Sequence, residues 1–341
     1  MFGGKTDQLS GVAGLRRAAE LLRNGGTVAF PTETVYGLGA NALDASAVAK
    51  IFEAKERPNW DPVIVHVCDR EMLNRVAVVS AKAEMLIDAF WPGPLTLLLP
   101  RMDFVPGLVT AGRELVGVRM PNHAVALELI RAAGVPVAAP SANLFGRTSP
   151  TTAAHVLKDL DGRIDAVLDG GATSVGVEST VLDVGLMMIY RPGAVTVEMI
   201  AAVAGEVTIF QAPAVDVSKP PEGLPSPGVG LRHYAPRATL ELVDVPAGSE
   251  LIYALYPAIE RHDQIRESIG LMLPDGWDAS HARYVFDWGP WGDNEILARR
   301  LFAGLRALDE AGATVILCPL PSSDGVGAAL RDRLQKAARK G

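Results

Sequence analysis

Cationic and hydroxyl side chains recur beside predicted strands and loops in the first two hundred residues. They are Lys55 and Arg57 in AKERP, His66 in VIVHV, Arg119 in VRMP, Ser141 and Asn143 in PSAN, Ser179 and Thr180 in VESTV, and Arg191 in YRPG. Such groups bind anions and stabilise charge that develops during a reaction. Each also has a structural explanation, because a lysine at a helix end complements the helix dipole and a strand histidine is often a core residue.

Arg119 is the strongest single candidate because it follows the apolar run LVGV. A buried guanidinium needs an anion or several acceptors, and a substrate carboxylate or phosphate matches its forked geometry. Ser141 and Asn143 follow the apolar GVPVAA, at a strand end where open α/β sheets hold ligands, although an ordinary turn also explains them. The stretch PTETVYGL, residues 31–38, places two threonines, a glutamate and a tyrosine after another apolar run.

Several familiar motifs are missing from the sequence. GGKT at residues 3–6 lacks the upstream glycine and the strand of a phosphate-binding loop, and there is no GxGxxG after a strand, no GxSxG and no HExxH. Cys68 and Cys318 are far apart and have no metal-ligand spacing around them. We therefore expect two buried thiols and no metal held by protein ligands.

Composition narrows the class of protein further. The 341 residues are 49% hydrophobic with a mean hydropathy of +0.20, which predicts two well-packed domains. The net charge of −7 gives no general reason for tight nucleic-acid binding, although a local basic groove remains compatible with it. Neither a signal-peptide pattern nor an apolar stretch of about 18 residues occurs, so a cytoplasmic enzyme is expected.

The elements that position these groups alternate between helical and extended patterns. GVAGLRRAAELLRNGG predicts a helix that stops at a glycine pair, and DASAVAKIFEAKERP predicts one with Asp44 or Ser46 as its N-cap. Strands are predicted at 27–30, 63–67, 95–99, 116–120, 135–139, 166–169 and 179–184, and helices near 81–90, 123–133, 151–160 and 196–203. The pattern predicts an α/β or α+β domain with a central sheet.

The chain changes character after about residue 204. Six prolines between 213 and 236 indicate a linker, yet its last part, SPGVGLRHYAP, groups arginine, histidine and tyrosine as a passive spacer would not need. LELVDV, LIYALY, ARYVFDW and TVILCPL, with the helix NEILARRLFAGLRALDEAG and a terminal helix from about 326, then predict a second, smaller α/β unit.

The motifs as a set resemble a known family. GGTVAFPTETVYGLGANA, KERP, PVIVHV, FWPGPLTLLL, VRMPNH, APSAN, GVESTV, RPGAV and SPGVGLRHYAP occur in the order found in two-domain L-threonylcarbamoyladenylate synthases, over the whole chain. The resemblance implies a YrdC-like catalytic domain at 10–205, with a twisted central sheet flanked by helices. It also implies a proline-rich linker acting as a lid at 206–238 and a small Rossmann-like α/β domain at 239–341.

The resemblance also implies an activity. Family members make threonylcarbamoyl-AMP from L-threonine, bicarbonate or CO2, and ATP with Mg2+, and they release pyrophosphate. Transferase proteins then use this product to form N6-threonylcarbamoyladenosine beside the tRNA anticodon. No protein nucleophile is expected, because the carbamate itself attacks the α-phosphate, and catalysis would depend on positioning and on cations.

Site residues carry over by matching motif positions. The L-threonine pocket comprises Thr34, His66, Arg119, Ala139 and Ser179, with Arg119 on the carboxylate and Thr32 as a weaker member of the same wall. The ATP side comprises Lys55, Arg57, Ser141, Asn143, Ser149, Arg191 and Tyr234, and Lys55 and Arg57 are also the predicted catalytic cations. Gly37 and Gly39 are expected to let the backbone bend close to a ligand. Asp61 and Leu115 stand where the family usually has Asn and Thr, so both stay outside the predicted site.

Two alternatives remain open on the sequence. One is an RNA-binding module that uses a local basic groove. The other is a carbamoyl-adenylate enzyme with a different acceptor, although such chains carry extra domains and lack this linker. The sequence leaves open the role of the C-terminal domain, the oligomeric state and direct contact with tRNA.

Overall fold

The computed structural model describes residues 4–211, 233–245, 254–278 and 282–339. These residues fall into two compact units. The first comprises residues 4–145, 150–174 and 178–211, and the second comprises 146–149, 175–177 and the described residues from 233 onward. Two short segments from the predicted catalytic domain thus belong to the second unit. Most of the predicted linker, 206–238, lies outside the described residues.

A mixed sheet forms the centre of the first unit. Its strands within the described residues are β1 (Asp7–Ser10), β2 (Val28–Pro31), β3 (Tyr36–Asn41), β4 (Ile64–His66), β5 (Leu95–Pro100), β6 (Leu115–Arg119), β7 (Val137–Ala138), β8 (Ala166–Asp169), β9 (Thr180–Asp183), β10 (Met188–Arg191) and β11 (Thr208–Ile209). The order across the sheet is β1-β8-β2-β3-β7-β4-β6-β5-β9-β10-β11. Parallel and antiparallel pairs both occur, which confirms the predicted fold class.

Helices flank this sheet, and several begin at a side-chain cap. They are α1 (Gly11–Arg23), α2 (Ala45–Lys55), α3 (Arg70–Asn74), α4 (Ala81–Phe90), α5 (Gly107–Thr110), α6 (Ala124–Ala133), α7 (Ala153–Leu160) and α8 (Val197–Ala204). The Asp44 carboxylate accepts hydrogen bonds from the N–H groups of Ser46 and Ala47 and so caps α2. Of the two predicted caps for this helix, Asp44 is the one used.

Gly37 and Gly39 lie within β3, so the bend expected at these positions is replaced by a strand. A Cβ atom on Gly39 would stand 2.7 Å from Phe30 Cε1 and 2.8 Å from Val137 Cγ1. At Gly37 the nearest atom would be the Cβ of Ala139, at 3.2 Å. The two glycines therefore make room for side chains of the adjoining strands.

A smaller parallel sheet forms the second unit. Its strands are β12 (Thr239–Val243), β13 (Ile269–Pro274), β14 (Tyr284–Gly289) and β15 (Val315–Pro319), in the order β12-β15-β13-β14. The accompanying helices are α9 (Tyr256–Gln264), α10 (Asn294–Ala311) and α11 (Gly327–Ala337). All three strand pairs are parallel, which confirms the Rossmann-like prediction. The sequence patterns missed β13, and LIYALY lies partly outside the described residues, with its last residue opening α9.

Both cysteines are buried, as predicted. Burial raises the pKa of the Cys68 thiol to about 11 and that of the Cys318 thiol well above its usual value, so both stay protonated at neutral pH. Among the described helices, none combines the length and the apolar character needed to cross a membrane.

Candidate active site

Strands of the first unit bring predicted site residues to one edge of its sheet. β4 and β6 are parallel and pair His66 with Arg119, so these two side chains leave the sheet on the same face. β5 is antiparallel to β6 and parallel to β9, and β10 is antiparallel to β9. The C-terminal ends of β6 and β10 therefore lie at the same end of the sheet as the first residues of β5 and β9. Ser179 directly precedes β9 and Arg191 is the last residue of β10, so both lie there.

The turn between β2 and β3 directs Thr34 toward Arg119. Thr32 Oγ1 donates to the Val35 carbonyl oxygen at 2.8 Å and accepts from the Thr34 N–H at 3.2 Å. Because the Thr32 hydroxyl hydrogen is committed to Val35, the 2.8 Å contact between the two threonine hydroxyls is donated by Thr34. Arg119 Nη1 donates to Thr34 Oγ1 at 3.0 Å. Thr32 thus shapes the turn, and Thr34 faces the arginine.

Tyr36 anchors this turn to the rest of the unit. Its hydroxyl donates to the Gly171 carbonyl oxygen at 2.7 Å and lies 3.2 Å from Asp169 Oδ1. Burial raises the pKa of Tyr36, so the phenol keeps its proton and remains a donor. The tyrosine of PTETVYGL therefore has a positioning role at a distance from Arg119.

The Arg119 guanidinium and the His66 imidazole are both buried. Arg119 is 2% exposed, and burial lowers its pKa, while the charge of Glu33 raises that pKa and the charge of Arg191 lowers it. Glu33 Oε2 lies 3.7 Å from Arg119 Nη2. Burial and then the charge of Arg119 hold the pKa of His66 well below its usual range, so His66 is a neutral imidazole at physiological pH. Its Nδ1 has no hydrogen-bond partner among the described residues.

Ser179 is held between two neighbours at the start of β9. Its Oγ lies 2.8 Å from Thr96 Oγ1 and accepts a hydrogen bond from Arg191 Nη2 at 3.1 Å, while Arg191 Nε donates to the Ser179 carbonyl oxygen at 3.0 Å. The loop after β10 approaches closely, because a Cβ on Gly193 would stand 2.3 Å from the Thr180 nitrogen. Arg191, which the sequence assigned to ATP, is thus fastened to a residue assigned to L-threonine.

Lys55 is the last residue of α2 and is 1% exposed. Its ammonium donates to the carbonyl oxygens of Ser141 and Asn143 and so joins α2 to the PSAN segment. Burial, and then repulsion from Arg57, hold the pKa of Lys55 well below its usual range. Of the residues predicted for the ATP side, Lys55 therefore contacts Ser141 and Asn143 directly, through their backbone oxygens.

Arg57 forms a closed pair with Asp61. Its Nη2 lies 3.0 Å from Asp61 Oδ2, and the same guanidinium donates to the backbone oxygens of Asp61 at 3.1 Å and Pro62 at 2.7 Å. The guanidinium carbon also lies 5.8 Å from the centre of the Phe145 ring. Burial raises the pKa of Asp61, whereas the charges of Arg57, Lys55 and Arg191 lower it.

Arg191 links the two halves of this arrangement electrostatically. Its charge acts on the pKa of Arg119 and also on that of Asp61. Both clusters therefore lie within the range of one cation in a poorly solvated region. Of the remaining predicted residues, Ala139 is 4% exposed and follows β7, whereas Ser149 and Tyr234 belong to the second unit, and their assignment stays a prediction.

Sequence reasoning missed two residues of this neighbourhood, Glu33 and Thr96, and it also missed the pairing of Asp61 with Arg57. Glu33 stands between the two threonines of PTET, and this position was the signal available. Thr96 lies inside the apolar run LTLLLP, where only the strand pairing reveals that its hydroxyl meets Ser179. Across the described ranges there is no cluster of three or more His, Cys, Asp or Glu residues that could hold a metal ion.

Comparison with known proteins agrees with the motif order. Residues 20–193 match a family model described as "Telomere recombination", and residues 195–339 match the threonylcarbamoyl-AMP synthase C-terminal domain. The threonylcarbamoyl-AMP synthase of Pyrococcus abyssi is 43% identical over 331 residues, covering 95% of this chain and 94% of the relative. That of Bacillus subtilis is 43% identical over 339 residues, covering 98% and 95%. A crystal structure of the P. abyssi relative complexed with L-threonine gives a TM-score of 0.90 at 41% identity, covering 98% of each chain.

A two-domain enzyme that handles anionic substrates is the class defined by this mixed sheet and its buried cations. The matches extend over nearly the whole chain, so they concern both units and not one motif. The chain belongs to the threonylcarbamoyl-AMP synthase family, which confirms the resemblance seen in the sequence.

Proposed function

We propose that this protein makes threonylcarbamoyl-AMP from L-threonine, bicarbonate or CO2, and ATP, and releases pyrophosphate. The observation that carries the proposal is the match, at 43% identity over nearly the full chain, with proteins of that name from an archaeon and a bacterium. The buried constellation of Arg119, Thr34 and Ser179 beside Lys55 and Arg57 supports it, because the reaction joins a carboxylate-bearing amino acid to a polyphosphate.

L-Threonine is assigned to the cluster around Arg119. The Arg119 Nε has no hydrogen-bond partner among the described residues, so the guanidinium retains a donor for the substrate carboxylate. Thr34 Oγ1 and the neutral His66 imidazole would contact the rest of the amino acid, and Ala139 and Ser179 would complete the wall. His66 suits this role because a neutral imidazole can both donate and accept a hydrogen bond.

ATP is assigned to the cluster around Lys55. Two of the three N–H donors of Lys55 meet backbone oxygens, which leaves one donor for a phosphate. Arg57, Ser141, Asn143 and Arg191 complete this side in the proposal. For Ser149 and Tyr234 the support is the sequence resemblance alone.

Mg2+ would enter with ATP. The described residues supply little of a metal site, yet Asp61 Oδ1 accepts no hydrogen bond and is an acid oxygen suited to a phosphate-bound Mg2+. Bound there, the ion would neutralise charge on the polyphosphate. The fit is limited to this one carboxylate, in keeping with the usual dependence of Mg2+ sites on substrate phosphates.

The proposed reaction needs positioning more than it needs a protein nucleophile. The threonine nitrogen attacks CO2 to form a carbamate, and a carbamate oxygen then attacks the α-phosphate of ATP as pyrophosphate leaves. Arg119 would fix the amino acid, and Lys55 and Arg57 would face the charge that develops on the phosphates. Exclusion of water from this buried region would protect the carbamate from loss of CO2.

The product would be consumed by transferase proteins that modify tRNA beside the anticodon, so we place the reaction in the cytoplasm. Direct contact with tRNA is a weaker part of the proposal, because the net charge of −7 disfavours it. A gel-shift titration with tRNA at two salt concentrations tests that contact separately.

Pyrophosphate release from ATP and Mg2+ tests the proposed function. Release that requires both L-threonine and bicarbonate, and that falls strongly when L-serine replaces L-threonine, is the expected result. Release that is independent of the amino acid would point to an enzyme that hydrolyses ATP to AMP and pyrophosphate. No release under any condition, together with tRNA binding, would favour the RNA-binding module.

A further inference from the structure

Glu33 is a buried acid that has no role in the reaction as proposed above. Its side chain is about 5% exposed and lies beside Arg119, with Oε2 at 3.7 Å from Nη2. Neither carboxylate oxygen accepts a hydrogen bond from any described residue. A buried carboxylate is normally surrounded by donors, because burying its charge without them is costly.

The distance to Arg119 shows that this pair is not closed. Arginine and carboxylate groups that are hydrogen-bonded to each other approach to roughly 2.7–2.9 Å. Glu33 stands farther away, and Arg119 directs Nη1 to Thr34 instead. The acid therefore keeps its acceptor sites available next to the cation that is assigned to the substrate carboxylate.

We propose that Glu33 binds the α-ammonium group of L-threonine and removes one of its protons when the nitrogen attacks CO2. This inference rests on the proposed function. The ammonium and carboxylate groups of an α-amino acid are attached to one carbon, so a pocket for the zwitterion needs an anionic and a cationic side chain next to each other. Glu33 and Arg119 provide that arrangement within the wall formed by Thr34.

The proposed proton transfer conserves atoms and charge. One ammonium N–H bond breaks, its proton passes to a Glu33 oxygen, and the electron pair stays on nitrogen. That pair forms the N–C bond to CO2 while a C=O pair moves onto oxygen, and a second N–H proton then leaves to solvent. The sum is threonine ammonium plus CO2 giving carbamate and two protons, one of which Glu33 returns to solvent after turnover.

Other titratable groups near Glu33 do not change charge in the relevant pH range. His123 faces it, and burial lowers the pKa of His123 although Glu33 opposes this. The pKa of His66, behind Arg119, lies well below its usual range because of burial and then Arg119. Both histidines are thus neutral above pH 7. A change in rate between pH 7 and pH 9 then reports on the substrate amine and its base.

Binding of L-threonine and of 3-hydroxybutanoate, its analogue without the amino group, tests the ammonium contact by calorimetry. Glu33→Gln keeps the size of the side chain and should weaken L-threonine binding by about 10–100-fold while leaving the analogue within about threefold. The matched control is Glu178→Gln, another buried glutamate of the first unit, which should leave the ratio of the two affinities unchanged. Equal weakening of both ligands by Glu33→Gln would mean that Glu33 acts only by holding Arg119, and would overturn the proposal.

The pH profile of pyrophosphate release tests the proton transfer. Glu33→Gln should lower the rate at pH 7 and restore it by about tenfold per pH unit as free amine accumulates, whereas the wild-type profile should be shallower. Glu33→Asp, which keeps a carboxylate, should retain a shallow profile. Parallel profiles for wild type and Glu33→Gln would overturn the base role. A wild-type enzyme without threonine-dependent release would instead reject the proposed function.

Discussion

Two buried arginine–carboxylate pairs in the first unit differ in how completely they are closed. Arg57 meets Asp61 at 3.0 Å and also donates to two backbone oxygens. Arg119 stands 3.7 Å from Glu33, and its Nε has no partner among the described residues. Both arginines are buried, so each loses hydration on folding, and the two differ in how many contacts the protein supplies in return.

The closed pair and the open pair therefore have different roles. The closed pair fixes the segment after α2 through contacts that the protein itself supplies, so the Arg57 guanidinium is held in place before any phosphate binds. The open pair leaves charge incompletely compensated, which is unfavourable for the free protein but favourable for a ligand that brings opposite charges. Removing members of the two pairs should therefore affect different quantities.

The largest effect is expected from Arg119→Met, which removes the cation of the open pair. The KM for L-threonine should rise about 100-fold or more, because a charged clamp is lost and Glu33 remains buried without a counter-charge. The KM for ATP should change much less. Steady-state kinetics with each substrate varied in turn measures both, and equal increases would contradict the assignment of Arg119 to the amino acid.

Asp61→Ala should lower the stability of the free protein, in addition to removing the carboxylate proposed for Mg2+. Breaking the closed pair leaves Arg57 buried without its acid, and the free energy of unfolding should fall by about 3–5 kcal/mol. Urea denaturation followed by circular dichroism measures this loss. Glu33→Gln, measured alongside, should cost less than about 1 kcal/mol because no hydrogen bond from the protein is removed. Similar losses for the two variants would end the distinction between closed and open pairs.

Arg191→Met should affect both halves of the site, but modestly. Arg191 holds Ser179 through two hydrogen bonds and places its charge within reach of both pairs. We expect the KM values for L-threonine and for ATP to rise together by about 3–10-fold. An increase for only one substrate would show that Arg191 serves one cluster alone.

The smallest effect concerns His262 of the second unit, a partly buried histidine that lies between Glu241 and Glu267. Partial burial lowers the pKa of His262, but hydrogen bonds with Glu241 and Glu267 outweigh it, so the folded-state pKa lies above the usual value. The resulting stability is fully present below roughly pH 6.5 and is lost as the pH rises through the folded-state pKa. Melting temperatures between pH 5.5 and 8.5 should converge for wild type and His262→Gln at high pH, with a difference below about 1 kcal/mol at low pH.

Much of the architecture was predictable because local signals agreed with the final fold. The helix at 81–90 and the strand at 166–169 have the predicted bounds, since apolar spacing with a Ser80 cap marks the helix and a short apolar run marks the strand. The strand β3 escaped prediction because its two glycines lower strand propensity, and only the neighbouring Phe30 and Val137 explain them. Local pattern therefore identified elements well and failed where packing between distant segments decided the outcome.

The site was predictable in a similar, partial way. Arg119 was found because a charge in an apolar strand requires a partner. Which acid lies near it could not be read from the sequence, since Glu33 and Asp61 are both single acids near a proline. Only the pairing of β4 with β6 and the turn after β2 decide that Glu33 meets Arg119 while Asp61 meets Arg57.

The order of strands in the large sheet has a consequence for synthesis of the chain. β7 lies between β3 and β4, and β9 and β10 complete the edge beside β5, so the pocket from Thr34 to Arg191 combines strands made early and late. Contacts of such large sequence separation form slowly and together. The pocket is therefore complete only after the ribosome has passed Arg191. L-Threonine bound in this pocket would stabilise only those chains in which the sheet is complete.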